Sequence, residues 1–212
     1  MPTRNIVKEY GEGQYYHVYN RGVAKADIFL DDNDYLYMLS LFKKYLGGEQ
    51  LLDRFGRNIP NYAGEIDLVA YCLMPNHYHL MVYLKEKDGL VHLMRSVMTA
   101  YAMYFNKRYQ RVGGLFQNHF LASRITDEAY FWHISRYIHL NPIDIGQDYK
   151  TYPYSSVGYF AGDKHAKWLH EEHLVETADE RVRYEGFMRD YESIHVDLDA
   201  IKHQLANSLE IE

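Results

Sequence analysis

The stretch Ala70 to Leu84, AYCLMPNHYHLMVYL, narrows the possible folds more than any other part of the chain. Two apolar runs flank Pro75-Asn76, where proline presets φ and asparagine tolerates turn geometry, so the segment predicts a β-hairpin. Successive side chains of a strand point to opposite faces. His77 and His79 therefore share one face, and Tyr78, Leu80, Val82 and Leu84 share the other as a core face. The partner strand, Ile66 to Leu73, is expected to place Ile66, Leu68, Ala70 and Cys72 on one side. Paired imidazoles at this spacing are close enough to share a metal ion. Taken alone, such histidines are more often simply hydrogen-bonded or exposed.

Helices and further strands follow from periodicity. Gln14 to Arg21 alternates as a first strand, with Tyr16, Val18 and Asn20 on one face and a turn at Asn20-Arg21-Gly22. Arg21, at the strand end, could hold a phosphate or a carboxylate. The acids of DDNDY suit a helix start. That helix runs to about Tyr45, buries Tyr35, Met38/Leu39, Phe42 and Tyr45, and stops at Gly47-Gly48. The acid cluster lacks the glutamate of a calcium loop and reads as a cap. Asp88-Gly89 opens a second helix with its apolar stripe at Leu90, Leu93/Met94, Val97, Tyr101 and Tyr104/Phe105. Leu115 to Ile125 reads as a further strand. Thr126 is the expected N-cap of a helix continuing as AYFWHISRYIHLN to Pro142. Phe131, Ile134 and Ile138 form its buried stripe. Tyr137 and Asn141 fall one turn apart on one face, and on this segment alone Tyr137 reads as a marginal residue with its hydroxyl in water.

The 212 residues suit one ordinary domain with an appendage, divided at 1–162 and 163–212. A single cysteine excludes a disulfide framework and fits a reducing compartment. The N-terminus lacks a signal-peptide core, and no run approaches the ~18–20 apolar residues of a membrane span, so a soluble cytoplasmic protein is expected. P-loop, dinucleotide and paired-CxxC motifs are missing. His170 and His173, at i and i+3, miss the zinc-protease spacing and read as surface residues. Net charge is −6, yet residues 163–212 carry −7 and residues 1–162 carry +1. Residues 85–125 hold Arg95, Lys107, Arg108, Arg111 and Arg124 among seven cations, against two acids. Local field decides whether a phosphate backbone is attracted, and 22 tyrosines suit either base stacking or ordinary packing.

These motifs, in order, resemble a known family. MPNHYHLMV, then GGLFQNHF, then YIHLNP and YPYSSVGYF, is similar over about Tyr15 to Phe160 to the REP-associated tyrosine transposases. These belong to the single-tyrosine HUH endonucleases, named for histidine, hydrophobic, histidine. The resemblance implies an α+β, ferredoxin-like antiparallel sheet with helices on one face, a central HUH strand and here a C-terminal helical tail. It implies His77 and His79 as metal ligands for Mg²⁺ or Mn²⁺, Asn141 as the third ligand and Tyr137 as nucleophile. The reaction implied is cleavage of single-stranded DNA at hairpin-forming palindromes, leaving a 5′-phosphotyrosine and a 3′-hydroxyl. Arg21, Arg95, Lys107, Arg108, Arg111, Gln117 and Arg124 are the candidate DNA contacts. The family includes dimers that share the tyrosine helix, so a homodimer stays open beside a chain acting alone. The alternative is a catalytically silent single-stranded DNA-binding regulator on the same fold. The chain departs from the family at Phe116, His119 and Tyr154, where tryptophan, arginine and tryptophan are usual.

Overall fold

The computed structural model describes residues 10–160 and 164–190. Four strands form one antiparallel sheet: β1 (Gln14–Arg21), β2 (Ile66–Met74), β3 (His77–Leu84) and β4 (Leu121–Ile125). Their order is β2-β3-β1-β4, with the strand carrying both histidines inside the sheet. With α1 (Asp32–Leu46) after β1 and α2 (Gly89–Arg108) after β3, the connectivity is that of a ferredoxin-like α+β fold. Three further helices follow: α3 (Glu128–Leu140), α4 (Val157–Phe160) and α5 (Ala178–Arg189).

The two faces of the sheet are buried by different helices. Tyr16, Val18, Leu73, Tyr78, Leu80, Val82 and Leu84 pack with the apolar stripes of α1 and α2. Tyr19, Cys72, Met74 and Met81 pack with Ile134, Tyr137 and Ile138 of α3, and with Tyr184 and Met188 of α5. Helices on a single face therefore describe α1 and α2 alone. Complete burial of a Leu or Val side chain contributes roughly 1.5–3 kcal/mol, so each apolar layer holds its helices firmly.

Local chemistry explains the element ends, with three departures from expectation. Asp31 caps α1 by accepting from the Asn33 and Asp34 amides, as the acid cluster suggested. The cap of α3 is Asp127, which accepts from the Tyr130 amide at 2.8 Å. Thr126 lies one residue outside and donates to the Asp127 carboxylate. In β2 the register shifts between Leu68 and Ala70, which inserts Val69 as a bulge. A bulge reverses the parity of everything after it. Ile66 and Leu68 therefore face α1 and α2, while Ala70 and Cys72 face α3. Finally, Leu115 to Ile125 is not one strand. Phe116 makes an isolated bridge to Gly22, the chain leaves the sheet, and pairing resumes only at Leu121.

Gly22 anchors the end of β1, where its amide donates to the Asn76 carbonyl at 2.9 Å. A Cβ there would lie 2.1 Å from the Ala26 carbonyl oxygen, so only glycine permits so close a turn. Beyond α3, Tyr152 donates to the Leu73 carbonyl at 2.8 Å, and Ser155 bridges Cys72. The aromatic connection thus closes the β2 edge. The expected boundary at 162/163 falls at residues 161–163, outside the described residues, as does the tail beyond 190. Residues 164–190 pack on the sheet domain, with Trp168 and Leu169 in one core and Leu174 and Val175 in the other. His170 and His173 are half-buried rather than free at the surface: their Nε2 atoms each lie 3.2 Å from the buried Asp67 carboxylate, which Lys85 also meets at 2.6 Å.

Candidate active site

The strand register assembles one half of the site. His77 stands opposite Arg21 and His79 opposite Tyr19 across β1 and β3, all on the face covered by α3. His77 and His79 hold their rings 5.0 Å apart. The other half comes from α3, whose Ile134 and Ile138 are fully buried against the sheet. That seating carries Tyr137 inward. It is only 7% exposed, so the hydroxyl does not sit in water as the isolated helix pattern suggests. Its Oη lies 3.5 Å from His79 Nε2, at the long limit of a hydrogen bond. Asn141, one turn on, donates through Nδ2 to the Tyr137 carbonyl at 2.8 Å. Its Oδ1 lies 3.4 Å from His77 Nε2. His77, His79, Tyr137 and Asn141 are thus brought together, and all four come from one chain.

Burial sets the charge of these groups. Desolvation lowers the pKa of His77, partly offset by the Asn141 contact and the Asp144 charge. It lowers that of His79 further, with repulsion from His77 and His17 adding to it. Both rings are therefore neutral and carry a lone pair. Desolvation, chiefly, also raises the Tyr137 phenol, with the Asp144 charge adding and the Asn141 contact opposing. Tyr137 keeps its proton until a positive charge arrives beside it.

The donor set fits a divalent cation. Asn76 donates through Nδ2 to the Lys25 carbonyl, which leaves its Oδ1 to accept from His77 Nδ1 at 2.6 Å. That bond places the His77 proton on Nδ1 and bares Nε2. Asn141 is oriented likewise by its own donation. Two acceptors, His77 Nε2 and Asn141 Oδ1, consequently face each other at 3.4 Å with no donor hydrogen between them, an arrangement a cation would relieve. Among the described residues no group of three or more His, Cys, Asp and Glu side chains could hold a metal. Two imidazoles and one amide oxygen are the available ligands, a set that suits Mn²⁺ or Zn²⁺ and does not select between them.

The candidate DNA contacts do not form one patch. Arg21 lies beside His77, half-buried, and donates through Nε to Gln117 Oε1 at 2.6 Å. Lys107 and Arg111 lie at the C-terminal end of α2, which runs back toward the histidine end of the sheet. Arg111 stacks its guanidinium 5.6 Å from the Phe105 ring centre. Arg95 and Arg124 are exposed but sit elsewhere. Arg124 pairs across from Tyr16 and binds Gln14 at 2.7 Å, five residues along β1 from Arg21, or about 17 Å. Arg108 is committed to the protein: its guanidinium meets Asp31 at 2.5 Å and the fully buried Asp34 at 2.8 Å. Its charge is neutralised where the sequence suggested a free cation.

Two contributors escaped the sequence reading. His17 is fully buried behind His79, and its Nε2 lies 2.9 Å from His79 Nδ1. Tyr19 flanks both rings. The signal is parity: Tyr15, His17, Tyr19 and Arg21 form the other face of β1, opposite Tyr16 and Val18.

Comparison with known proteins bears on the family and the fold. Residues 43–141 match the model of the IS200-like transposases, a span that holds both histidines, Tyr137 and Asn141 and ends at the last of them. The fold is similar to the structure of a REP-associated tyrosine transposase bound to a REP hairpin. The TM-score is 0.56 at 14% identity, covering 76% of this chain and 87% of that one. A structure described as a candidate transposase from Deinococcus radiodurans R1 also aligns at 14% identity, over 65% of this chain and 95% of that one. Its TM-score of 0.39 is too low to bear on the fold. No curated protein sequence matches the chain significantly. Residues 43–141 are thus similar to the IS200-like transposases, and the fold is similar to that of a REP-associated tyrosine transposase.

Proposed function

We propose that the protein is a metal-dependent endonuclease and strand transferase acting on single-stranded DNA through a covalent tyrosine adduct. The observation that carries the reading is the placement of the Tyr137 hydroxyl 3.5 Å from His79 Nε2, with His77 and Asn141 alongside. Transesterification of a phosphodiester needs an in-line nucleophile and relief of negative charge on the phosphoryl oxygens. Tyr137 is the nucleophile. Its oxygen bonds to phosphorus as the bond to the 3′ oxygen breaks, leaving a 5′-phosphotyrosine and a 3′-hydroxyl. The proton lost by the phenol balances the one gained by the leaving oxygen. Because the adduct keeps the phosphoester bond, rejoining needs no nucleotide, in keeping with the missing P-loop.

His77, His79 and Asn141 would hold Mg²⁺ or Mn²⁺, which when bound polarises a non-bridging oxygen and orients the phosphate. Arg21, next to His77 and steadied by Gln117, supplies a fixed cation to the same phosphate. The burial of α3 holds the Tyr137 hydroxyl beside the imidazoles and limits the water that could compete as nucleophile.

The substrate proposed is a hairpin with a single-stranded flank, because unpaired DNA can bend into a site set beneath a helix and stack on exposed rings. The similar transposase of known structure is described as bound to a REP hairpin. The test is incubation with a labelled single-stranded hairpin oligonucleotide and Mn²⁺, followed by a denaturing gel. A covalent protein–DNA band that Tyr137→Phe removes is expected. Tight binding of the oligonucleotide with no such band would instead assign the chain to the silent regulators.

A further inference from the structure

His17 has no part in the reaction outlined above, yet it is the most constrained polar residue near it. It is fully buried, it stacks on His79 with ring centres 5.1 Å apart and planes 24° from parallel, and its Nε2 lies 2.9 Å from His79 Nδ1. Its other nitrogen, Nδ1, is buried without a hydrogen-bond partner among the described residues. Two ring nitrogens 2.9 Å apart share a single hydrogen between the two rings.

We propose that His17 is the positioning residue of the metal site: it fixes the ring plane of His79 and exchanges tautomer with it when the ion binds. The inference rests on the reading of His79 as a metal ligand. Two arrangements satisfy the 2.9 Å contact. In the first, His17 donates from Nε2 to His79 Nδ1, so His79 carries its own hydrogen on Nε2, aimed at the Tyr137 oxygen. His17 Nδ1 is then a bare lone pair. In the second, His79 donates from Nδ1 to His17 Nε2, His79 Nε2 is bare and able to ligate, and His17 carries an unpartnered hydrogen on Nδ1. An orphaned buried N–H is rarer than an under-satisfied acceptor, so the ion-free protein adopts the first. Ligation requires the second.

Each ring therefore moves one hydrogen from Nε2 to Nδ1, and no proton enters or leaves the pair. The exchange also alters Tyr137. In the first arrangement its oxygen accepts from His79; in the second that donor is gone and the hydroxyl is free to turn toward a phosphate. Arrival of the ion and release of the nucleophile become one event, mediated by a residue that touches neither DNA nor metal.

Nitrogen-15 histidine spectra of the full chain, recorded during titration with Zn²⁺ as a diamagnetic probe, read the tautomers directly. His17 and His79 are both expected to pass from the Nε2–H to the Nδ1–H form. A His79 that responds while His17 stays unchanged overturns the proposal. Spectra in which neither His77 nor His79 responds overturn the ligand reading as well, and so separate the two failures. Mn²⁺ affinity, read by electron paramagnetic resonance, gives the second arm. His17→Phe keeps the stacking but offers no acceptor, and should weaken binding by about 10- to 100-fold, the range typical of an outer-shell partner. His17→Gln offers an amide oxygen to His79 Nδ1 and should stay near the wild type. Affinity unchanged in His17→Phe, or lost equally in both variants, overturns the proposal. If His17→Phe fails to melt cooperatively, the spectra and His17→Gln decide.

Discussion

Asn141 donates its Nδ2 hydrogen to the carbonyl oxygen of Tyr137, 2.8 Å away and one turn earlier, and so turns its Oδ1 toward His77 Nε2. The same bond ties the α3 backbone at the nucleophile to the group that would complete the metal set. Asn141→Leu removes both functions. Mn²⁺ affinity should fall at least about tenfold, since a ligand is worth no less than an outer-shell partner, and the covalent adduct should disappear. Asn141→Asp keeps an oxygen toward His77 and should retain most of the metal affinity. Isothermal titration with Mn²⁺ distinguishes the pair, and equal affinity in Asn141→Leu and wild type would remove Asn141 from the ligand set.

The Tyr137 hydroxyl is placed for chemistry and contributes little to folding. It is buried, its approach to His79 is a long 3.5 Å, and the Asn141 side chain lies alongside. Removing it in Tyr137→Phe leaves the ring packed and should change stability by less than about 1 kcal/mol, in either direction. Urea denaturation measures this. A loss of several kcal/mol would mean that the hydroxyl is a structural hydrogen bond, and would weaken its assignment as a nucleophile.

The outline of the fold was legible because hydrophobic period and turn chemistry carry it. The hairpin at Pro75-Asn76, the acid cap before α1 and the stop at Gly47 each follow from local residues. What escaped depends on partners distant in sequence. Val69 looks like any other strand residue, and only the register against β3 reveals it as the bulge that turns Ala70 and Cys72 over. Leu115 to Phe120 has strand composition, but its neighbour is the end of β1, where pairing runs out. His170 and His173 looked like surface residues because Asp67, the carboxylate that draws them in, lies about a hundred residues earlier. For the site, motif order pointed to His77, His79, Tyr137 and Asn141, which the fold brings together. His17 was visible only as parity on β1, and Arg108 read as free because its acids belong to α1.

Arg21 and Arg108 should respond oppositely to removal of their charge. Arg21 lies beside His77, and its side-chain hydrogen-bond partner among the described residues is the neutral Gln117. Arg21→Gln should weaken binding to a labelled hairpin oligonucleotide and reduce the salt dependence by about one phosphate contact, roughly 0.7 in the log–log slope for single strands. Arg108→Gln takes away the guanidinium paired with the buried Asp34 carboxylate and leaves it the Leu30 amide and the Tyr104 and Tyr109 hydroxyls, so it should lower the melting temperature while leaving DNA affinity and salt slope unchanged. Fluorescence anisotropy over a salt series, paired with thermal melts, tests both. An Arg108→Gln variant that melts normally but binds DNA weakly would return Arg108 to the interface.

Acid sensitivity should trace in part to His139, which ties α3 to its surroundings. The ring is fully buried, with Nδ1 2.8 Å from the Tyr184 hydroxyl and Nε2 2.7 Å from the Ser156 hydroxyl. Burial lowers its pKa to about 3, against about 6.5 when unfolded. Between those values the unfolded chain binds the extra proton, so stability rises with pH there. The contribution is complete above about pH 6.5 and is lost as pH falls toward 3. In His139→Gln the side chain no longer titrates, while the amide can still reach one of the two hydroxyls. The urea midpoint of the variant should lie below that of the wild type at pH 7.5. The gap should narrow on acidification, by at most about 1.4 kcal/mol per pH unit. Titrations elsewhere are common to both proteins and cancel in the difference. A gap that stays constant from pH 7.5 to 4 would show that His139 exchanges no proton on folding, and would place the acid response in the other buried histidines.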